Sequence, residues 1–165
     1  MSDRTYVLSY DIGTTGVKTC LFEVEDEIKL IAAEMEGYSL TVYPDGGAEQ
    51  DPDEWWSAIC NTTKRLMNST SVSTSEIAGI SFCSQMQGLV LVDKDGQPLT
   101  DIILYFANTE SGAFTDLVNS IGAEKFMRIT CVLPDASYSL AKMLYSLKAA
   151  PRPVWKFLFI ASYIC

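Results

Sequence analysis

Histidine is absent from this chain. That excludes Ser-His-Asp and Cys-His catalysis within the segment, and histidine-ligated metals with them. Chemistry here must rest on carboxylates, hydroxyls, amides, lysines or thiols. The five cysteines, at positions 20, 60, 83, 131 and 165, are odd in number, widely spaced and form no C-x-x-C pair. They suggest neither a disulfide framework nor a zinc site, and a reducing, cytoplasmic location is expected. Basic clusters are also missing: 12 Lys and Arg stand against 21 Asp and Glu, for a net charge of −9. Such a chain repels nucleic acid, which is not an expected partner. The residues from Val154 to Cys165 are almost entirely apolar. They fall short of the roughly 20 residues that a bilayer span needs, so a buried element is expected and no membrane partner. With no secretory leader read at the start, Asn61-Thr62-Thr63 and Asn68-Ser69-Thr70 are taken as chance matches to a glycosylation pattern. No internal repeat, linker or low-complexity segment is found.

What is present suits a globular domain: 165 residues, 48% apolar and 20% charged, enough for one ordinary core. Tyr6 to Ile12 reads as a strand, Gly13-Thr14-Thr15-Gly16 as a short link, and Val17 to Val24 as a second strand closing a hairpin. On that second strand Cys20, Phe22 and Val24 point one way and Thr19 and Glu23 the other, the alternation of a half-exposed strand. A third strand is predicted from Ile28 to Glu36, followed by an irregular stretch over 39–50 with a turn at Pro44-Asp45-Gly46-Gly47.

A helix start follows. Asp51 can cap it, Pro52 suits its first position, and Glu54 completes a capping-box pattern. Trp55, Ile59, Thr62 and Leu66 then recur at helical spacing and give a face to bury. The Ser/Thr-rich stretch from Ser69 to Ser75 reads as a loop. Ile77 to Ser84 reads as a buried strand parallel to the first, and Gly88 to Val92 as another, turning at Asp93-Lys94-Asp95-Gly96. Helices are predicted over 112–121, 123–129 and 137–148. Hairpin, third strand, helix and buried strand imply an α/β class with a mixed sheet and flanking helices. The order also fits the ribonuclease-H-like (actin-like) nucleotide-binding fold.

Three stretches carry chemical information. In Asp11-Ile12-Gly13-Thr14-Thr15-Gly16-Val17-Lys18, glycines let backbone N–H groups approach a phosphate, and Thr14 and Thr15 add hydroxyl donors. Asp11 offers a carboxylate to Mg²⁺, and Lys18 adds positive charge. A plain hairpin turn with a capping aspartate accounts for the same eight residues. In Ser81-Phe82-Cys83-Ser84-Gln85-Met86-Gln87-Gly88 a strand ends in two glutamines around a methionine. Their amides match sugar hydroxyls, although a polar strand end facing water has the same composition. Glu49-Gln50-Asp51-Pro52-Asp53-Glu54-Trp55-Trp56 is mainly a helix start, with Trp55 read as core.

Taken in order, these stretches resemble the FGGY carbohydrate kinases. The family's D-x-G-T-[TS]-x-x-[KR] hairpin is matched at Asp11 to Lys18, and its E-Q-[DN]-P helix start at Glu49 to Trp56. A strand ending S-x-Q-M-x-G, as in xylulose kinases, is similar to Ser81–Gly88, and a V-L-V-D-x-D-G-x-P-L hairpin is matched at Val90 to Leu99. The match spans about residues 5–100, with weaker echoes at Leu140–Lys148 and Lys156–Cys165.

The resemblance implies ATP-dependent phosphorylation of a small sugar or polyol. Asp11 would then position Mg²⁺, while Gly13, Thr14, Thr15 and Lys18 face the ATP phosphates and Gln85, Met86 and Gln87 line the sugar pocket. It also implies that residues 1–165 form part of an N-terminal domain. The general-base aspartate and a second, nucleotide-binding domain are expected beyond residue 165, and the chain alone is expected to be inactive. A domain cut short in this way is expected to be marginally stable or to form a homo-oligomer.

Two departures bear on substrate. Gln87 stands where xylulose kinases have histidine. Leu104-Tyr105-Phe106-Ala107-Asn108-Thr109 lacks the acid and the arginine that the family uses on sugar, and each charged hydrogen bond lost costs roughly 1.5–3 kcal/mol. A non-catalytic sugar-binding or regulatory module on the same fold is the alternative. An actin-like or Hsp70-like ATPase leaves the Glu-Gln-Asp-Pro and Gln-Met stretches without a purpose.

Overall fold

The computed structural model describes residues 4–44, 46–104 and 112–165. It divides into two compact units. One holds the described residues up to Leu40 together with Asp51–Gln85 and Ile164–Cys165; the other holds Thr41–Gln50 and Met86–Tyr163.

The first unit is a four-stranded sheet carrying one helix. Strands β1 (Thr5–Ile12), β2 (Gly16–Val24) and β3 (Ile28–Gly37) form an antiparallel meander. A later strand from the same sheet, Ile77–Ser84, pairs with β1 in parallel, so β1 and β2 lie at the centre. The connection that makes a parallel pair possible is α1 (Pro52–Ser69), which packs on β2 and β3. Asp51 caps α1 by accepting from the Asp53 N–H at 2.8 Å, and Trp55, Ala58, Ile59, Thr62 and Leu66 form its buried face, as the spacing predicts. The capping box does not close. The Glu54 carboxylate accepts instead from the Ser39 N–H at 2.6 Å and the Ser39 hydroxyl at 3.0 Å, tying the helix start to the chain after β3.

In this sheet the alternation on β2 acquires a buried face, and one expectation is corrected. On β2 the buried face is Val17, Thr19 and Leu21, while Cys20, Phe22 and Val24 are only half-buried. The reason is the helix: Thr19 sits under α1, where its hydroxyl meets that of Thr62 at 2.7 Å. Ile77–Ser84 is not buried, because it is the sheet edge, and Ile80 is 58% exposed. A single 3-10 turn, Thr74–Glu76, with a complete capping box from Ser73 and Glu76, leads into it. Ile28, Leu30 and Met35 of β3 are exposed as well.

The second unit holds a five-stranded antiparallel sheet. In chain order its strands are β4 (Thr41–Val42), β5 (Ala48–Gln50), β7 (Leu89–Val92), β8 (Ile102–Ile103) and β9 (Lys156–Phe159), Ile77–Ser84 of the first unit being β6. The stretch 39–50, expected to be irregular, is therefore a short hairpin whose ends are Thr41 to Glu49 and Val42 to Ala48. Helices α2 (Gly112–Ile121), α3 (Ala123–Thr130) and α4 (Ser139–Ala149) fall where the sequence predicts them. Gly122, at φ +87°, makes the break between α2 and α3 in a conformation that a side chain would strain. Leu89, Leu91 and Leu99 form one apolar cluster, with Met143 of α4 and Phe157 of β9 against it. Phe114, Phe126 and Ala141 form another, in which the two phenyl rings meet edge to face at 6.0 Å. The apolar end of the chain, expected to be a buried element, becomes β9 at the sheet edge and the short α5 (Ile160–Ile164); only Ile160 is fully buried there, while Trp155 is 64% and Phe159 49% exposed.

Candidate functional site

The hairpin motif sits at one end of the first sheet. Asp11 and Lys18 stand opposite each other in the β1–β2 ladder and are both exposed, so they project from the same side. Ile12 and Val17 form the next pair and are fully buried, which anchors the turn below its tip. Gly13 N–H donates to the Gly16 carbonyl at 3.1 Å, closing the link around Thr14 and Thr15. Thr15 is exposed and Thr14 half-buried.

Gly16 has a packing reason of its own: a Cβ there would run into the Glu36 carbonyl of β3. Three further groups reach the turn. The Tyr38 hydroxyl donates to the Gly13 carbonyl, the Gln85 Nε2 donates to the same oxygen at 3.4 Å, and the Thr14 hydroxyl donates to Gln85 Oε1 at 3.2 Å. The Gln85 N–H continues the parallel ladder to the Ile12 carbonyl at 2.8 Å. Burial, and after it the negative charge of Asp11, raises the Tyr38 pKa well above the usual phenol range, so the phenol stays protonated and remains a donor.

Sequence reading missed Tyr38, because nothing in its local pattern separates it from any tyrosine after a strand. Its ring lies 6.2 Å from that of Trp55, which is fully buried as expected. The Trp55 indole N–H has no partner among the described residues.

These residues suit a nucleotide's phosphates and one magnesium ion. The carbonyl most able to repel an anion at the turn, that of Gly13, is engaged by two donors, while the exposed Thr15 and Lys18 stand beside it. No group of three or more His, Cys, Asp or Glu side chains gathers to hold a metal among the described residues. A single carboxylate such as Asp11 suits Mg²⁺, which keeps waters and takes phosphate oxygens as its other ligands. The open cleft of about 560 Å³ beside Tyr38 and Ser39 is a poor phosphate site by contrast. Glu36, Asp51, Asp53 and Glu54 line it, and their charge opposes an anion.

The proposed sugar residues divide between the two units: Gln85 closes a segment of the first and Met86 opens a segment of the second. In the second unit Met86 is 71% exposed, and Gln87 adopts the left-handed region at φ +58°. The Gln87 carbonyl accepts from Lys142 Nζ at 3.3 Å. Lys142 is fully buried, and that burial lowers its pKa from 10.5 to about 8. One turn further along α4, the Ser146 hydroxyl is buried without a partner among the described residues. Sequence reading assigned Lys142 only to a helix, because an ammonium on an apolar helix face looks like surface until its burial is known. Of the stretch Leu104–Thr109, expected to lack the family's sugar-binding charges, residues 105–109 lie outside the described residues. Among the described residues no helix is long and apolar enough to cross a membrane.

Comparison with known proteins bears on the family and the fold. The chain is 27% identical to a xylulose kinase of Staphylococcus xylosus over 96% of its own length and 33% of that protein's. It is 31% identical to a glycerol kinase of Bacillus subtilis over 87% of its length and 29% of the relative's. The chain thus spans about a third of the length of the curated relatives it matches. A ligand-bound xylulose kinase from Lactobacillus acidophilus superposes with a TM-score of 0.82 at 26% identity, covering 97% of this chain and 32% of that one. The fold is that of these kinases, the ribonuclease-H-like (actin-like) arrangement that the element order implies. With residues 6–165 matching the model of the N-terminal domain of the FGGY family of carbohydrate kinases, the chain belongs to that family.

Proposed function

We propose that this chain supplies the phosphate-binding side of a cytoplasmic enzyme that transfers the γ-phosphoryl group of ATP to a hydroxyl of a small sugar or polyol. The observation that carries the reading is the hairpin, with Asp11 and Lys18 opposite each other and the Gly13 carbonyl tied back by Tyr38 and Gln85. When bound, Mg-ATP supplies the phosphoryl group and the metal charge that offsets its oxyanions. Asp11 holds the metal, while Thr14, Thr15 and Lys18 orient the phosphates around the turn that Gly13 shapes. Met86 and Gln87 face the sugar, while the Gln85 side chain, bound at both ends to the hairpin, stands on the phosphate side. Catalysis of this kind is largely positioning and charge neutralisation.

The substrate class stays broad because relatives acting on xylulose and on glycerol match at similar identity. In this reading the general base and the adenine pocket belong to parts of the protein outside residues 1–165. The 165-residue chain alone is then inactive.

The test is Asp11→Ala in the full-length protein, with Mg-ATP affinity read by titration calorimetry. Losing a charged contact worth about 1.5–3 kcal/mol should weaken binding at least tenfold. Unchanged affinity defeats the reading. A second reading, a non-catalytic sugar-binding or regulatory module, is favoured by the uncharged stretch Leu104–Thr109. It predicts sugar binding without any ATP turnover by the full-length protein.

A further inference from the structure

We propose that Gln85 and Tyr38 are positioning residues that clamp the nucleotide hairpin by its Gly13 carbonyl, so that Gln85 acts on the phosphate side of the reaction. The proposal rests on the assignment of that hairpin to Mg-ATP.

Its first support is the turn itself. Between the last ladder pair, Ile12 and Val17, four residues link the strands, closed by the Gly13 N–H bond to the Gly16 carbonyl. None of these four has a positive φ, so no left-handed glycine locks the turn. Bonds from elsewhere in the unit add to its hold.

The second support is where those bonds come from. Gln85 lies at the end of β6, and Tyr38 follows β3, so two separate elements converge on one carbonyl oxygen. The amide orientation is decided by chemistry: only Nε2 can donate to the Gly13 carbonyl, and only Oε1 can accept from the Thr14 hydroxyl. Both ends of the Gln85 side chain are thus committed to the hairpin. The Gln85 backbone is held at the same level by its bond to Ile12. Tyr38 is steadied by the buried Trp55 ring and by the Ser39–Glu54 bonds directly after it. The clamp is therefore built on the helix start and the sheet edge, the two places where family motifs flank the hairpin. A carbonyl held inward also keeps a partial negative charge away from an incoming phosphate.

The experiment compares the full-length protein with its Gln85→Leu and Tyr38→Phe variants. Amide hydrogen exchange at Thr14, Thr15 and Gly16 and Mg-ATP affinity by calorimetry are both measured. Losing one or two net hydrogen bonds should speed exchange at the hairpin and weaken Mg-ATP by roughly three- to tenfold. Exchange at Leu8 and Leu21, which opens only with the whole sheet, should stay at the wild-type rate, separating a loosened turn from a weakened fold. Wild-type exchange at the hairpin in both variants overturns the clamp. Faster exchange with unchanged Mg-ATP affinity overturns its nucleotide role, and Asp11→Ala then tells whether the functional reading falls too. A weaker Asp11→Ala protein leaves that reading standing, and an unaffected one removes it.

Discussion

The first unit is built from strands of eight to ten residues around one long helix, the second from strands of two to four residues among shorter helices. Their interiors differ as well. In the first unit the buried polar groups under α1 answer one another, Thr19 with Thr62 and Tyr10 with Thr63. In the second, β7 is buried along its whole length and α4 carries Lys142 and Ser146 into the interior. Long strands with alternating faces leave one side free, and the first unit uses that freedom to present Asp11 and Lys18. In the second unit β7 and β8, buried throughout, present no such row. The second unit places its polar groups through the helix and the left-handed turn at Gln87.

The sharpest way to test this contrast is to empty each core. Trp55→Ala removes a large, fully buried side chain of the first unit and should cost about 3–5 kcal/mol; Leu91→Ala, in the second, about 2–5 kcal/mol. Urea unfolding followed by circular dichroism checks both. Two transitions, each moved by one variant alone, make the units separate folding entities, whereas one transition moved by both unites them.

Lys142 offers the next effect. The folded chain releases its proton near pH 8, whereas an unfolded lysine holds it to about 10.5. Between those values unfolding takes up a proton, so stability rises with pH across the window, and below it the cost of a buried ammonium is constant. The unfolding free energy from urea melts should climb between pH 8 and 10 by an amount on the order of 1–3 kcal/mol, and Lys142→Met should flatten the slope.

In the first unit the threonine pair is asymmetric. The Thr62 hydroxyl donates back to the Ala58 carbonyl at 2.7 Å, so Thr19 must be the donor between the two. Thr62→Val strands the Thr19 hydroxyl and should cost about 1–3 kcal/mol, while Thr19→Val should cost clearly less. Equal losses in denaturant melts would reverse that donor assignment.

Surface ion pairs should separate the units least. Arg65, bridging Glu34 and Glu36, and Arg152, beside Asp93, are both well exposed. Their alanine variants should each shift stability by about 0.2–1 kcal/mol, less in high salt.

Legibility followed the same division. The hairpin, α1 with its buried face, and the parallel pairing of β6 with β1 were readable because each carries a long periodic pattern or a distinct end signal. The short pairing of β4 with β5 leaves no such trace, since strands of two or three residues have no period to detect. The helices of the second unit were visible from their spacing, but the burial of Lys142 was not. On the site, the Asp11–Lys18 hairpin was legible as a turn between two strands. Tyr38 was not, because its role exists only where β3 ends beside the turn.

By itself the sequence determined the class of fold, the start of α1 and the exposed Asp11–Lys18 hairpin, since these depend on local preference and on which side chains avoid water. Tertiary structure alone decided that β2 buries Thr19 and not Cys20, that β6 is an edge, and that Glu54 leaves its own helix for Ser39. It also decided that Gln85 and Tyr38 meet at one carbonyl. The reason is physical: a hydrogen bond between residues far apart in the chain depends on which elements lie side by side, and no local pattern records that.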